Sequence, residues 1–276
     1  MKNYKKPVIL LLLFMIFIPA CMLGKFDKKY SGNEQKNLVW HEGQRILVEE
    51  ISGDIKVQAG SGNEVTIQGL KTVSSPSIAR SRLEIKRLTM EVTSHRDEIK
   101  IVTCRPRNWG RISAWIDYTI TAPASAPVVL KNVSGDVEVR KINNTVKAAS
   151  VSGDVNLEEI GGDAEVRSVS GKVSIKNCSN SLLAETVSGD LLYGGTEFYA
   201  EQLAFKTISG DVKITLPSGF SGKVRVVTVS GNITSNLPLQ IVAKPGKKLL
   251  EGTLGEGKTE LTVSSVSGDV DISSEK

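Results

Sequence analysis

A seven-residue motif that recurs along most of the chain is the feature that most constrains the fold. One complete copy reads Val133-Ser134-Gly135-Asp136-Val137-Glu138-Val139. Copies begin at Ile51, Val133, Val151, Val169, Val187, Ile208, Val229 and Val266, and the starts from Val133 onward lie 18, 18, 18, 21, 21 and 37 residues apart. A period of about 20 residues predicts stacked units that share one core.

Each copy predicts two short strands joined by a tight turn. Counting from the first residue of the motif as position zero, positions −5 and −3 are apolar, and so are most residues at +4 and +6, which is the period-two pattern of half-buried strands. Between the strands, glycine permits a positive φ and aspartate can bond to nearby backbone. The predicted structural turns are Ser52-Gly53-Asp54, Ser134-Gly135-Asp136, Ser152-Gly153-Asp154, Ser188-Gly189-Asp190, Ser209-Gly210-Asp211 and Ser267-Gly268-Asp269.

The residues just before each turn predict a local irregularity. Position zero is β-branched in every copy, and position −1 is mostly a small hydroxylated residue such as Ser150 or Thr186. We expect both in the interior, and because strict alternation cannot bury two neighbours, we expect a bulge or corner here. In the 18-residue units, position +9 holds Ile142, Ile160 and Cys178, which predicts a further buried column.

The predicted fold class is all-β, as a single β-solenoid of rungs of about 18–21 residues. Residues 40–273 form the predicted domain, with regular rungs over 128–235 and a last rung over 258–273. An irregular first half, residues 40–127, is expected to cap one end of the stack against edge-to-edge pairing. The glycine-rich and lysine-rich stretch 238–257 is expected to loop out of the stack.

The first 20 residues have the character of a bacterial signal peptide. Three lysines precede an apolar run over residues 8–18, which is too short to span a bilayer comfortably. The run ends Ile18-Pro19-Ala20-Cys21, which resembles a lipobox with Cys21 as the lipidated residue, although Pro19 departs from the usual small residue. An ordinary signal peptide or a short membrane anchor is the alternative. Residues 21–39 are polar and lysine-rich and are expected to be a flexible tether.

Charge and residue inventory point away from several functions. Removing residues 1–20 removes three lysines and lowers the formal net charge from +5 to +2, so nucleic acid is not an expected partner. Only His41 and His95 are present, and we interpret both as surface residues; no catalytic residue, cofactor or metal is predicted. Calcium held by the stacked Asp turns is the alternative to turn formation. A disulfide between Cys104 and Cys178 is a further alternative in an exported protein, in place of a buried Cys178 thiol.

The repeated Val-Ser-Gly-Asp-Val-x-Val motif after an exported N-terminus resembles the DUF4097 family of bacterial candidate adhesins, over roughly residues 40–273. The resemblance implies a β-solenoid-like fold at the cell envelope and brings no catalytic residues. We therefore expect a non-enzymatic lipoprotein, held to the membrane by its N-terminal lipid, that presents a repeat surface to a surface glycan or an envelope protein. The alternatives are a regulatory or stress-response partner acting by protein contact, and a carbohydrate-active β-helix enzyme.

Overall fold

The computed structural model describes residues 28–107, 109–110, 112–195 and 201–275, apart from the side chains of residues 243 and 244. Two large sheets face each other across a shared core: sheet A has eleven strands and sheet B has twelve. Each rung has one strand in sheet B and the next strand in sheet A, and in most rungs the chain crosses between the sheets at a Ser-Gly-Asp turn. We call this crossing the arch, and the side of the stack that carries it the arch edge. The predicted all-β solenoid-like stack is confirmed.

The elements are, in chain order, β1 (Lys28–Val39), β2 (Arg45–Ser52), β3 (Ile55–Gly60), β4 (Glu64–Ser75), α1 (Ile78–Glu84), a 3₁₀ turn (Ile85–Arg87), β5 (Thr89–Ser94), β6 (Glu98–Cys104), β7 (Ser113–Pro123), β8 (Val128–Ser134), β9 (Val137–Arg140), β10 (Val146–Ser152), β11 (Val155–Ile160), β12 (Ala164–Ser170), β13 (Val173–Cys178), β14 (Leu182–Ser188), β15 (Leu191–Gly194), β16 (Gln202–Ser209), β17 (Val212–Leu216), β18 (Gly222–Ser230), β19 (Ile233–Ser235), β20 (Ile241–Lys244), β21 (Lys247–Leu254), β22 (Thr259–Ser267) and β23 (Val270–Ser274).

The middle of the stack follows chain order. From β8–β9 to β16–β17, each rung pairs in parallel with the next through both of its strands. The pairing is in register on the motif, so that Ser152 lies beside Ser134 and Ser170. Equivalent side chains therefore form columns that run along the stack.

The N-terminal end does not follow chain order. Rung β2–β3 lies between rung β6–β7 and rung β8–β9, and pairs in parallel with both. Antiparallel strands then close the end: β4 and β1 extend sheet A beyond β7, and β5 extends sheet B beyond β6. The expected flexible tether over 21–39 is therefore wrong for residues 28–39, which pair with β4 along their whole length. A strand rich in lysine is suited to this exposed sheet edge.

The C-terminal end is also out of order. Rung β22–β23 is inserted in parallel between rungs β16–β17 and β18–β19. The expectation that residues 238–257 loop out of the stack is wrong. These residues contain β20 and β21, which form an antiparallel hairpin that continues sheet B beyond β18.

The core is built by unbroken alternation along each sheet-B strand. In β10, Val146, Ala148 and Ser150 face inward, whereas Val151 at position zero is 47% exposed. The expectation that position zero is buried at a bulge is therefore wrong, because position −1 takes the interior place. Buried −1 residues are Glu50, Asn132, Ser150, Ser168, Thr186, Thr207, Thr228 and Ser265. Small or polar side chains suit this position because the chain turns directly above it.

Candidate functional site

Glycine is required at the arches because neighbouring turns stack backbone on backbone. At Gly153, φ is +130°, and a Cβ built there would lie 2.1 Å from the carbonyl oxygen of Gly135. The equivalent distance at Gly135, Gly171, Gly189, Gly210 and Gly268 is 2.0 to 2.2 Å. A side chain would thus break the vertical spacing of the rungs as well as strain the backbone.

The arch aspartates connect successive rungs. Asp54 Oδ1 accepts a hydrogen bond from the Asp136 N–H (2.9 Å), and Asp136 Oδ1 accepts one from the Asp154 N–H (2.9 Å). The pattern continues to the N–H of Lys172 and restarts from Asp190 to the N–H of Asp211. It then runs from Asp211 to Asp269 and from Asp269 to Asn232. One oxygen of each of these carboxylates is therefore engaged by backbone, and the described residues contain no His, Cys, Asp or Glu cluster suited to a metal ion.

The position-zero residues form an exposed apolar column that we call the ridge. Its members are Ile51, Val133, Val151, Val169, Val187, Ile208, Val266 and Val229, in stack order. Except for the less exposed Val169, they are 38 to 54% exposed. With adjacent strands about 4.8 Å apart, the ridge is about 34 Å long.

Charged side chains lie beside the ridge on the outer face of sheet B. Glu185 forms ion pairs with Lys206 (2.9 Å) and Arg167 (3.4 Å), and Glu165 pairs with Lys147 (3.0 Å). These exposed pairs contribute little to stability individually. These charged residues flank the ridge, and other apolar residues of this face, such as Leu183 and Ala204, are only partly exposed.

A groove of about 850 Å³ continues the ridge at its N-terminal end. Its described lining includes Ile51, Arg105, Arg107, Trp109 and Trp115, but no acidic residue. Both arginines are exposed, whereas Trp109 is buried, and no described residue accepts a hydrogen bond from its indole N–H. The groove therefore offers cationic and aromatic contacts. The repeat pattern does not predict this groove, although the two arginines and two tryptophans in the segment around Pro106 are a sequence signal for it.

A buried carboxyl group lies beneath this groove. Glu50 occupies the −1 column, is 4% exposed, and accepts hydrogen bonds from the N–H groups of Ile51 (2.9 Å) and Ser52 (3.0 Å). The Thr103 hydroxyl donates to its other oxygen and also lies 2.7 Å from the Tyr118 hydroxyl. Burial raises the pKa of Glu50 and of Tyr118, because both groups lose solvation in their charged forms.

The structure separates most of the other candidate residues. His41 and His95 lie at the edge opposite the arches, where both are exposed and Gln44 bonds to the backbone of each. The alternative of a Cys104–Cys178 disulfide is wrong, since both thiols are free and lie in rungs at different levels. Cys178 is buried beside Ile160, as its column predicts, and burial raises its pKa to about 11. Cys21 and the apolar run over residues 8–18 lie outside the described residues.

No helix in the described part of the chain is long and apolar enough to cross a membrane. No curated protein matches the chain. Solved structures that it resembles include a candidate cell adhesion protein from Clostridium sporogenes, with 12% identity, a TM-score of 0.37, and coverage of 88% of this chain and 100% of that one. A candidate adhesin from Bacteroides fragilis shows 12% identity, a TM-score of 0.32, and coverage of 88% and 97%.

A candidate lipid binding protein from Parabacteroides distasonis shows 8% identity, a TM-score of 0.28, and coverage of 88% and 97%. The sequence profile of the Toastrack DUF4097 family matches residues 41–273, which include all the rungs described above. The chain belongs to the Toastrack DUF4097 family.

Proposed function

We propose that this chain is a non-enzymatic, lipid-anchored protein of the bacterial cell envelope that binds a partner along its ridge, for adhesion or for scaffolding. The observation that carries the proposal is the exposure of β-branched residues along the ridge, where all members except Val169 are 38 to 54% exposed. A soluble stack would be expected to place polar residues at these positions, and exposed apolar patches of this extent are typical of interaction sites.

The ridge favours an envelope protein over a surface glycan as the partner. Its contact groups are aliphatic, and the exposed serine of each arch, such as Ser134 or Ser152, adds one hydroxyl per rung. Covering roughly 60 Å² on each ridge residue would give about 1.5 kcal/mol, at about 25 cal/mol per Å². The eight residues together then reach about 12 kcal/mol, which is comparable with the 4–15 kcal/mol that association costs. Binding therefore requires most of the ridge at once.

The test is capture of partners by the full-length protein in its own cells, with and without the ridge. We expect Val133→Ser, Val151→Ser and Val187→Ser combined to reduce photo-crosslinked partner and cell adhesion at least tenfold. The matched control is Val39→Ser, Leu70→Ser and Ile241→Ser combined, which removes equally exposed apolar residues away from the ridge. Equal loss in both variants, or unchanged capture by the ridge variant, would show that the ridge is not the binding surface.

Lipid anchoring is supported by the sequence that ends at Cys21, and it has its own test. The protein expressed in its own cells is expected to incorporate a fatty-acid label and to fractionate with membranes. Cys21→Ser is expected to lose the label, whereas Cys104→Ser keeps it. Full labelling of the Cys21→Ser variant would contradict the assignment of Cys21.

A further inference from the structure

We propose that the N-terminal end of the stack docks on an anionic lipid bilayer through a basic cap. The basic cap comprises Lys28, Lys29, Arg80, Arg82, Lys86, Arg87, Arg105 and Arg107, all of which are exposed. The inference rests on the envelope location in the proposed function, and it is independent of what the ridge binds.

The topology brings three separate segments to this one place. The connection from β6 in sheet B to β7 in sheet A runs along the arch edge, and its described residues are 105–107, 109–110 and 112. The segment of α1 and its 3₁₀ turn crosses back from β4 to β5 one layer further out. Lys28, at the start of β1, pairs with Ser75 at the end of β4. All three segments therefore lie side by side at the arch edge.

Side-chain contacts join these segments into one surface. The Ser81 hydroxyl donates to the Lys28 carbonyl oxygen (2.8 Å), and the Arg82 guanidinium lies 5.3 Å from the centroid of the Tyr30 ring. Lys29 Nζ lies 5.5 Å from the ring centroid of Trp115, which lines the same groove as Arg105 and Arg107. These contacts fix the positions of several charged residues of the basic cap relative to one another.

The charge of the basic cap is largely uncompensated. Within the described residues of 28–31, 76–88 and 105–113, the only acidic residue is Glu84, and its ion pair is with Arg87 (2.8 Å). The other seven cations form no ion pair with any described residue, although buried Glu50 lies near enough to Arg105 for an electrostatic interaction. Such a concentration of positive charge on one end is complementary to an anionic surface.

Apolar side chains within the basic cap favour a bilayer over a soluble polyanion. Leu83 is 68% exposed and Ile78 is 42% exposed, and both lie on the short helix α1 that also carries Arg80 and Arg82. Exposed leucine among basic residues is typical of surfaces that lie in the lipid interface, where tryptophan also accumulates. Trp115 is partly exposed at the mouth of the groove.

The position of the chain before Lys28 also favours a bilayer. That segment contains the apolar run over residues 8–18 and Cys21, and it joins the described structure within the basic cap. Six residues lie between Cys21 and Lys28, and the seven Cα–Cα steps that join the two limit their distance to about 24 Å. An anchor at or before Cys21 would hold this end of the stack, and not the C-terminal end, against the membrane.

The experiment measures tryptophan quenching in the full-length protein reconstituted into vesicles with brominated acyl chains. Trp109 and Trp115 lie at the basic cap, whereas Trp40 is buried at the opposite edge and serves as an unquenched reference. We expect several-fold stronger quenching in vesicles that contain phosphatidylglycerol than in phosphatidylcholine vesicles, and loss of this difference at high salt. Equal quenching in both lipids at low salt would overturn the proposal, and this readout needs no variant.

A variant of the basic cap provides the second readout. Each cation near an anionic surface contributes about a fivefold factor, so Arg82→Gln, Arg105→Gln and Arg107→Gln combined with Leu83→Ser should lower the docked-to-free ratio at least about a hundredfold. The control variant carries Arg140→Gln, Lys176→Gln, Lys213→Gln and Leu192→Ser on the outer face of sheet A. Unchanged quenching in the cap variant would overturn the proposal.

Binding of inorganic polyphosphate without quenching by any vesicle would also overturn it, in favour of a soluble polyanion. Neither outcome depends on partner capture by the ridge, so the two proposals can fail separately.

Discussion

The Asp136 carboxylate accepts a hydrogen bond of 2.9 Å from the backbone N–H of Asp154, one rung further along the stack. This contact gives the repeated aspartate a structural role that crosses between units. The stacked carboxylates repel each other by only about 1 kcal/mol per pair in water, before salt screening. A charge-assisted bond to backbone contributes about 1.5–3 kcal/mol, so the column is favourable overall.

Asp136→Ala is expected to lower the free energy of unfolding by about 1–2 kcal/mol, because the Asp154 N–H loses its acceptor. Asp136→Asn keeps an acceptor oxygen and should lose less. Denaturant unfolding followed by circular dichroism measures both. Lys172→Ala is the control, since the Lys172 side chain caps no N–H group, and Lys172→Asp should stabilise the fold by capping the Asp190 N–H. No gain from Lys172→Asp would contradict the role assigned to these carboxylates.

Gly153→Ala is expected to cost at least about 3 kcal/mol, since it adds a steric conflict with the Gly135 carbonyl to a backbone at φ +130°. Gly194→Ala is the matched control, because no atom lies within 4 Å of a Cβ at Gly194. Thermal unfolding of the two variants separates them. A similar unfolding temperature for both variants would mean that neighbouring arches can move apart without a loss of stability.

Glu50→Gln is expected to change how stability depends on pH. The folded-state pKa of Glu50 is raised above the ordinary value of 4.5, so the folded state binds the proton more tightly than the unfolded state. Protonation of Glu50 therefore makes its full contribution to the free energy of unfolding below pH 4.5, and this contribution is lost as the pH rises through the folded-state pKa. Glu50→Gln removes this loss and should become increasingly stabilising, relative to the natural protein, as the pH rises.

The neighbouring Glu49 provides a control of opposite sign for that experiment. Hydrogen bonds from Lys100 and Lys131 lower the pKa of Glu49, so its contribution is present above the ordinary value and is lost as the pH falls. Urea unfolding of Glu49→Gln and Glu50→Gln across the acidic to neutral range should therefore give opposite slopes. Parallel slopes would show that burial of Glu50 is not the cause of the pH dependence measured for the Glu50→Gln variant.

The inserted last rung predicts which engineered cysteines can form a disulfide. Lys206 pairs with Ser264, and Ser264 pairs with Val227. Neighbouring partners lie about 4.8 Å apart and next-nearest ones about 9.6 Å apart, against an upper limit of about 7 Å for a disulfide. In a Cys104→Ser background, Lys206→Cys with Ser264→Cys should oxidise, whereas Lys206→Cys with Val227→Cys should not. Peptide mass spectrometry reads the result, and the reverse pattern would indicate stacking in chain order.

The strands and arches of each repeat were predictable from the sequence, but the direction of the side chain at position zero was not. Period two together with Ser-Gly-Asp fixed the strands and arches, and Cys178 followed from its column. Position zero was assigned to the interior because β-branched residues are usually buried. Alternation from the −5 position, as in Val146 to Val151, places it outside, and in this protein the backbone pattern overrides the side-chain preference.

The order of the rungs could not be predicted, because the units are interchangeable at their contacts. Strand β16 pairs with β22, but β18 carries an aliphatic residue, Val224, at the register position of Leu261 in β22, so the side-chain pattern does not distinguish the two strands. The strand β1 was missed because its lysines and polar residues indicate solvent, which is also what a sheet edge requires. The groove and the basic cap depend on segments far apart in sequence, and only the topology brings them together.

The insertion of β22–β23 has a consequence for how the protein is made. These two strands are synthesised after every other described strand, yet they occupy an interior level between two older ones. A growing chain therefore cannot finish its architecture progressively, unit after unit, as it emerges. The final level must wait for β22 and β23, so the stack remains open at that level until these two strands have been synthesised.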